Sequence, residues 1–328
     1  MLKIGELKFE RYPLLLAPME DVSDPPFRIL CKEQGCDLMF TEFVSVEGLI
    51  RNADKSLKKI EISDAERPIG IQIFGSEQKS MTDAVKIVND LKPDIIDINF
   101  GCPVKKVVSK GGGAAILKDI DKMVLLTKSI VQSTDLPVTV KTRLGWDADL
   151  IKIEEIVLRL QETGIKAISI HARTRNQMYK GESDWSYLAK IKQNPEVKIP
   201  VFGNGDIDSP QKALEYKNKY MVDGLMIGRA AIGNPWIFRE IHHFFNTGIV
   251  LPPPTIEERV EAVRRHLRYS IEWKGEKTAI FEMRQHYSSY FKGLRDIKDL
   301  RTELVSNNNE YEVLKTLEFI EKKYNFEN

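Results

Sequence analysis

"IIDINFGCPVKK", residues 95–106, sets a continuous apolar run against an abrupt change of chemistry. Its first five residues have the β-branched character and the length of a strand covered on both faces, and such strands belong to parallel sheets. The run then leaves the strand through Asn99, a glycine, Cys102 and a proline, residue types that end a strand rather than continue it. A thiol and an amide are thereby delivered to the carboxyl end of a buried parallel strand, where α/β folds collect their ligands.

The same pattern recurs on either side. Eight short apolar runs can be marked: "LLLAPM" from Leu14, "LMFTEFV" from Leu38, "IGIQIFG" from Ile69, "IIDINFG" from Ile95, "PVTVKTRLG" from Pro137, "AISIHART" from Ala167, "IPVFGNGDI" from Ile199 and "GLMIGRAAIG" from Gly224. Helical patterns such as "KIEEIVLRLQETG" separate most of them. Eight βα units predict a closed (β/α)8 TIM barrel over residues 1–245, with a doubly wound sheet as the alternative. Each run ends in residues foreign to a core strand: Pro18 and Met19, Thr41 and Glu42, Gln72, Asn99 with Cys102, Lys141 and Arg143, His171 and Arg173, Asn204 to Asp206, and Gly228 with Arg229. A barrel opens all eight carboxyl ends on one face. Thr41 and Arg173, taken singly, read as ordinary strand exits; a lysine, a histidine and a cysteine converging on one mouth do not.

Two segments indicate the kind of ligand. "GNGDI" after the seventh run and "GRAAIGNP" after the eighth put glycine amides and Arg229 where barrels commonly bind phosphate. Lys141 can neutralise charge on a reduced isoalloxazine and the Gln72 amide can bond its edge, so FMN suits the set better than a sugar phosphate. No G-x-G-x-x-G opens a first βα turn, and the glycines of "SKGGGAAI" are not followed by Lys-Ser or Lys-Thr, which argues against Rossmann and P-loop sites. Gly111 to Gly113 read as the hinge of a loop carrying Cys102, or as plain turn residues.

Composition sets outer bounds. The 328 residues are 42% hydrophobic and carry a net charge of +1, enough for a full core but no global pull on polyanions. No run approaches a membrane span, and the amino-terminal segment lacks a secretory cleavage pattern, so a cytoplasmic protein without membrane contact is expected. Cys31, Cys36 and Cys102 have neither the number nor the spacing of a zinc site; free thiols and no metal are expected. After "NTGIVLPPPTIEERV" only helical periodicity remains, which predicts a smaller all-helical domain over residues 255–328. It is rich in cations, Arg284, Lys292 and Arg295 among them, interleaved with Trp273, Tyr287 and Tyr290.

"LAPMEDVSDPPFRILC", "TEFVSVEGL", "DINFGCP", "VKTRLGW", "IHARTRNQMYKGESDW", "FGNGDI", "MIGRAAIGNPWIF" and "EMRQHYSSYFKGL" together resemble the tRNA-dihydrouridine synthases, in order and spacing. The resemblance implies an FMN-dependent barrel with a helical tRNA-binding domain, reducing D-loop uridines to 5,6-dihydrouridine with NADPH as hydride source. It places Pro18, Met19 and Glu20 along the flavin, Gln72 and Lys141 at its ring, and His171 between ring and phosphate. Asn204, Gly205, Asp206, Gly228 and Arg229 would surround the ribityl phosphate. The family continues after Ala17-Pro18-Met19 with small residues, whereas Glu20 and Asp21 follow here, so backbone contacts are expected at that point. Cys102 is implied as the general acid that protonates C5 after hydride reaches C6, since a thiol stays protonated at neutral pH. Asn99, Arg143 and Arg173 would face the substrate. Lys105 and Lys106 beside Cys102, with Arg284, Lys292 and Arg295, would meet tRNA phosphates. Flavin barrels acting on free pyrimidines, of the dihydroorotate and dihydropyrimidine dehydrogenase kind, are one alternative, but have no need for the basic helices. A tRNA-folding factor with structural FMN is another.

Overall fold

The computed structural model describes residues 1–325. The chain opens with an antiparallel hairpin, β1 (Leu2–Ile4) and β2 (Leu7–Phe9). The eight apolar runs then supply the barrel. They give β3 (Leu14–Leu16), β4 (Met39–Phe40) with its continuation β5 (Val44–Ser45), β6 (Ile69–Phe74), β7 (Ile95–Asn99), β8 (Val138–Arg143), β9 (Ala167–His171), β10 (Val201–Asn204) and β11 (Gly224–Ile227). Parallel pairing runs β3-β11-β10-β9-β8-β7-β6-β4. The circle closes where Leu15 bridges Leu38 and the Leu16 N–H donates to the Leu38 carbonyl at 3.0 Å. The second run yields two short strands because Thr41 turns its hydroxyl to the backbone, accepting from the Gln72 N–H at 3.1 Å and donating to the Glu42 carbonyl at 3.0 Å.

Alternation along the strands sorts the residues between two environments. Ile71, Ile73, Ile96, Ile98, Val138, Val140, Ile168, Ile170, Leu225 and Ile227 belong to the large core between strands and helices. The other set of positions changes character along the barrel axis. Near the amino ends, Leu15, Leu38, Ile95, Ala167, Phe202 and Met226 form an apolar cluster with Ile4 and Phe9 of the hairpin, which plugs the bottom. Farther along the same strands the register sets Gln72 beside Asp97 and Asp97 beside Thr139, then Asn99 beside Lys141 and Lys141 beside Ser169, then His171 beside Asn204. The upper half of the barrel interior is polar.

Beyond the prolines at 252–254, helices Ile256–Lys274, Glu276–Tyr290, Lys298–Ser306 and Glu310–Asn325 enclose a second core that includes Val260, Leu267, Met283, Tyr287, Leu304 and Leu317. Thr255 starts the first of them with a capping box: its hydroxyl accepts from the Glu258 N–H while the Glu258 carboxylate accepts from the Thr255 N–H. Gly275, at φ +80°, separates the first two helices. Docking against the barrel is specific. Lys274 pairs with Asp24 at 2.5 Å, both side chains nearly buried, and Asp24 also caps the barrel helix Pro25–Glu33 through the Phe27 N–H. The Phe27 ring lies 5.7 Å from His266 and 5.3 Å from His286. Gln285 donates to the Asp21 carbonyl at 2.6 Å, so the helices stand beside the barrel mouth. All three cysteines are buried and free, as expected from their number and spacing.

Candidate active site

At the end of β7 the chain needs a sharp turn with its backbone groups satisfied. Asn99 provides this, its Oδ1 accepting from the N–H groups of Gly101 at 2.9 Å and Cys102 at 2.8 Å. A side chain at Gly101 would meet the Thr142 backbone at 3.3 Å, which explains a glycine there. Gly113 has φ +54°, and a Cβ on it would come within 2.8 Å of the Cys102 carbonyl; Ala114 donates to the same carbonyl at 3.0 Å. Gly113 is therefore a close-packing residue against the Cys102 turn rather than a hinge. Arg143 clamps the turn from outside: Nε donates to the Gly101 carbonyl at 2.8 Å, and Nη1 to the carbonyls of Thr174 and Met178 at 3.0 and 2.8 Å. Burial raises the Cys102 thiol above its ordinary pKa, a bond from the Val104 N–H opposes the shift, and Glu20 adds to it. The thiol is held in its protonated form at neutral pH.

Lys141 joins this turn to a cavity of about 610 Å³ lined also by Pro18, Met19, His171, Asn204, Gly205, Asp206, Gly228 and Arg229. Its ammonium faces the Asn204 Oδ1 at 3.4 Å, and the Asn204 amide is oriented by donating to the Met226 carbonyl at 2.7 Å. Burial, reinforced by the charge of Arg143, lowers Lys141 to about 8, with Asp97 pulling the other way. His171 is held neutral, burial and the neighbouring cations Arg143 and Lys141 lowering it well below the usual range. Its Nε2 lies 3.3 Å from Arg173 Nη1; a guanidinium only donates, so Nε2 accepts and the ring proton sits on Nδ1.

At the far end of the cavity Asp206 draws three groups together. Arg173 Nη2 reaches its two oxygens at 2.8 and 2.6 Å, the Ser183 N–H donates at 2.8 Å, and Arg229 Nη2 approaches at 3.2 Å. Arg173 is spent on this bond and on the carbonyls of Lys180 and Gly181, and only 2% of it is exposed. Arg229 keeps 55% of its side chain exposed, with Asp206 its single carboxylate partner among the described residues. Two guanidinium groups against one carboxylate leave a net positive charge, and Gly205, at φ +127°, brings the backbone close without a side chain. This donor set fits a phosphate, and the cavity has the size and mixed lining of a cofactor site. Tyr179, not expected from the sequence, stands over this end with Arg143 and Arg229 at 5.4 and 5.1 Å from its ring centre.

The remaining expected residues are spread more widely. Gln72 is fully buried, bonded to Asp97 and Asn99. Glu20 turns its carboxylate to Lys59 at 3.5 Å, and Lys59 also pairs with Glu42 at 3.2 Å. Lys105 and Lys106 are exposed on the short helix that follows Cys102. Lys292 is exposed at the rim of a second cavity, about 560 Å³, that also touches Arg229. Arg295 is exposed beside Asp296, whereas Arg284 is half-buried and bonded to the Asn307 carbonyl and the Asn308 side chain. Among the described residues no cluster of metal ligands occurs, and no helix is long and apolar enough to cross a membrane.

The barrel superposes on solved structures of histamine dehydrogenase from Rhizobium sp. 4-9 (TM-score 0.57, 14% identity, 81% of this chain and 50% of that one). It also superposes on the 6-hydroxypseudooxynicotine amine oxidase of Pseudomonas geniculata (TM-score 0.58, 12% identity, 80% and 52%). This chain spans about half the length of those solved chains, and the likeness is one of fold. Sequence similarity goes further. tRNA-dihydrouridine synthase B of Pseudomonas syringae pv. tomato is 40% identical over 289 residues, covering 88% of this chain and 85% of the relative. The namesake from Proteus vulgaris is 39% identical over 291 residues, 89% of each chain. A probable tRNA-dihydrouridine synthase of Rickettsia bellii is 35% identical over 302 residues, 92% of each. The family model "Dihydrouridine synthase (Dus)" matches residues 15–325. With the family model over nearly the whole chain and relatives of this identity and coverage, the chain belongs to the dihydrouridine synthase family, flavin-dependent oxidoreductases that form dihydrouridine in tRNA.

Proposed function

We propose that this protein, working in the cytoplasm, reduces the C5=C6 bond of D-loop uridines in tRNA with FMN as cofactor and NADPH as reductant, and that Cys102 donates the proton to C5. The observation that carries the proposal is the Cys102 turn, fixed by Asn99 and Arg143 and kept protonated beside Lys141. Bound FMN supplies the hydride that reaches C6 of the uracil. Arg229, the Gly205 backbone and the charge left around Asp206 would hold its phosphate. Lys141 would offset negative charge on the flavin ring, with Asn204 steadying the ammonium, and neutral His171 would offer its Nδ1 proton as a donor to the cofactor. When C6 gains the hydride, electron density moves toward C5. The Cys102 S–H bond breaks toward C5, leaving a thiolate that Lys141 and Arg143 stabilise until solvent reprotonates it.

Arg143 and Arg173 serve this chemistry by holding the Cys102 turn and Asp206, and Asn99 by holding the turn, rather than by gripping RNA. Residues 255–328, of which 326–328 lie outside the described residues, would serve as the tRNA-binding unit of a barrel spanning residues 1–245, with Lys105, Lys106, Lys292 and Arg295 exposed to meet phosphates and Arg284 shaping the 307–308 loop. The purified protein should release FMN on heating and convert unmodified tRNA to dihydrouridine-containing tRNA with NADPH. FAD in the extract, or reduction of free uracil in preference to tRNA, would contradict the proposal.

A further inference from the structure

Asp97 lies at the centre of the barrel, only 1% exposed, two residues before Asn99 on the same inward row. It caps no helix. Its Oδ1 accepts from the Thr139 hydroxyl at 2.5 Å and its Oδ2 from Gln72 Nε2 at 2.5 Å. Burial raises the carboxyl's pKa, while the two donors and the charge of Lys141 favour its ionised form; both oxygens act as acceptors.

The consequence runs through two amides. A carboxylate only accepts, so Gln72 must turn its NH2 toward Asp97 and its oxygen toward Asn99. Asn99 Nδ2 donates to that oxygen at 2.8 Å. This leaves Asn99 Oδ1 as the end that meets the N–H groups of Gly101 and Cys102. The oxygen and nitrogen of an amide are almost the same size, so sterics alone do not choose between the two orientations. With the opposite choice, an NH2 would confront two N–H donors at the base of the Cys102 turn.

We propose that Asp97 is a positioning residue for the thiol: through Gln72 and Asn99 it sets the amide orientations that hold the backbone of the Cys102 turn. The assignment rests on the reading of Cys102 as proton donor, but the geometry it governs can be measured without turnover. Iodoacetamide alkylation of each cysteine in the FMN-loaded enzyme, followed by mass spectrometry, reports how firmly the turn is held; buried Cys31 and Cys36 serve as internal controls. Asn99→Ala and Asp97→Ala should each raise Cys102 alkylation about tenfold, as expected when the turn loses its two amide bonds. The controls should stay protected. Because the two residues act along one relay, the double variant should match either single one, whereas independent effects would multiply to about a hundredfold. If Asp97→Ala does not fold, Asp97→Asn takes its place, with a rise of about threefold expected because a bond to a neutral oxygen is roughly half as strong. Wild-type Cys102 reactivity in whichever Asp97 variant folds, or multiplicative effects, overturns the proposal. Should Cys102 prove not to be the acid, the alkylation pattern would still stand, so the two failures are distinguishable.

Discussion

The two ends of the site are built on opposite principles. Around Cys102 the polar groups are already bonded to one another: Asp97 to Gln72, Gln72 to Asn99, Asn99 to the turn, and Arg143 to the carbonyl of Gly101. Around Arg229 the bonding is incomplete: Arg173 and Ser183 are committed to Asp206, but the Arg229 guanidinium is half exposed and holds only a 3.2 Å contact to Asp206 and the face of Tyr179. Satisfied polar networks in a low-dielectric interior are rigid, and rigid placement is what a proton donor requires. Unspent donors facing a cavity are what a charged ligand requires. The same barrel thus holds geometry at one end and binding capacity at the other.

Loss of the thiol should produce the largest effect. Cys102→Ala is expected to slow tRNA reduction by about 10²- to 10⁴-fold, the usual range for a positioned general acid, while FMN affinity stays at the wild-type value. Arg229→Ala should do the reverse. Its FMN dissociation constant should rise roughly 10- to 100-fold, as expected for charge-assisted bonds to phosphate, and saturating FMN should restore most of the rate. Equilibrium titration of the apoprotein with FMN separates the two variants, and equal defects in both assays would break the division between the ends.

A smaller effect should appear with pH. Lys141 is charged below its pKa, which burial brings down to about 8, so flavin reduction by NADPH should weaken as pH rises through and above that value. Negative charge on the bound cofactor can only move this limb upward. Stopped-flow traces across pH 6 to 10 test it on the order of a few-fold per unit, and Lys141→Met should lose the limb altogether. The smallest effect belongs to Cys31, fully buried against the barrel core. Cys31→Ala should leave turnover unchanged and cost about 1 kcal/mol of stability, read as a lowered Tm, because it removes only a small apolar group.

The barrel strands were legible because a parallel barrel demands unbroken apolar runs, and every marked run contains strand, the second one split in two at Thr41. The hairpin was not, since three-residue strands around Gly5 carry too little pattern to register. The glycines and Arg229 that follow adjacent strands could be marked in the sequence, and the structure brings them to one end of the same cavity. Arg173 could not be assigned to Asp206 in advance, because its partner lies 33 positions away and only barrel closure brings them together. Asp97 carried a visible signal that the apolar character of "IIDIN" masked: with Asn99 it alternates against Ile96 and Ile98, so it had to face the barrel interior. A buried acid there needs partners, and these became visible only with the neighbouring strands in register.

The central claim is that the Cys102 end delivers a proton from a preassembled position. It is tested most directly by anaerobic rapid mixing of the reduced Cys102→Ala enzyme with unmodified tRNA, alongside reduction of the oxidised variant by NADPH. Reduction by NADPH should run at the wild-type rate and reoxidation by tRNA should slow by about 10²- to 10⁴-fold. Reoxidation at the wild-type rate, with dihydrouridine formed, would contradict the account.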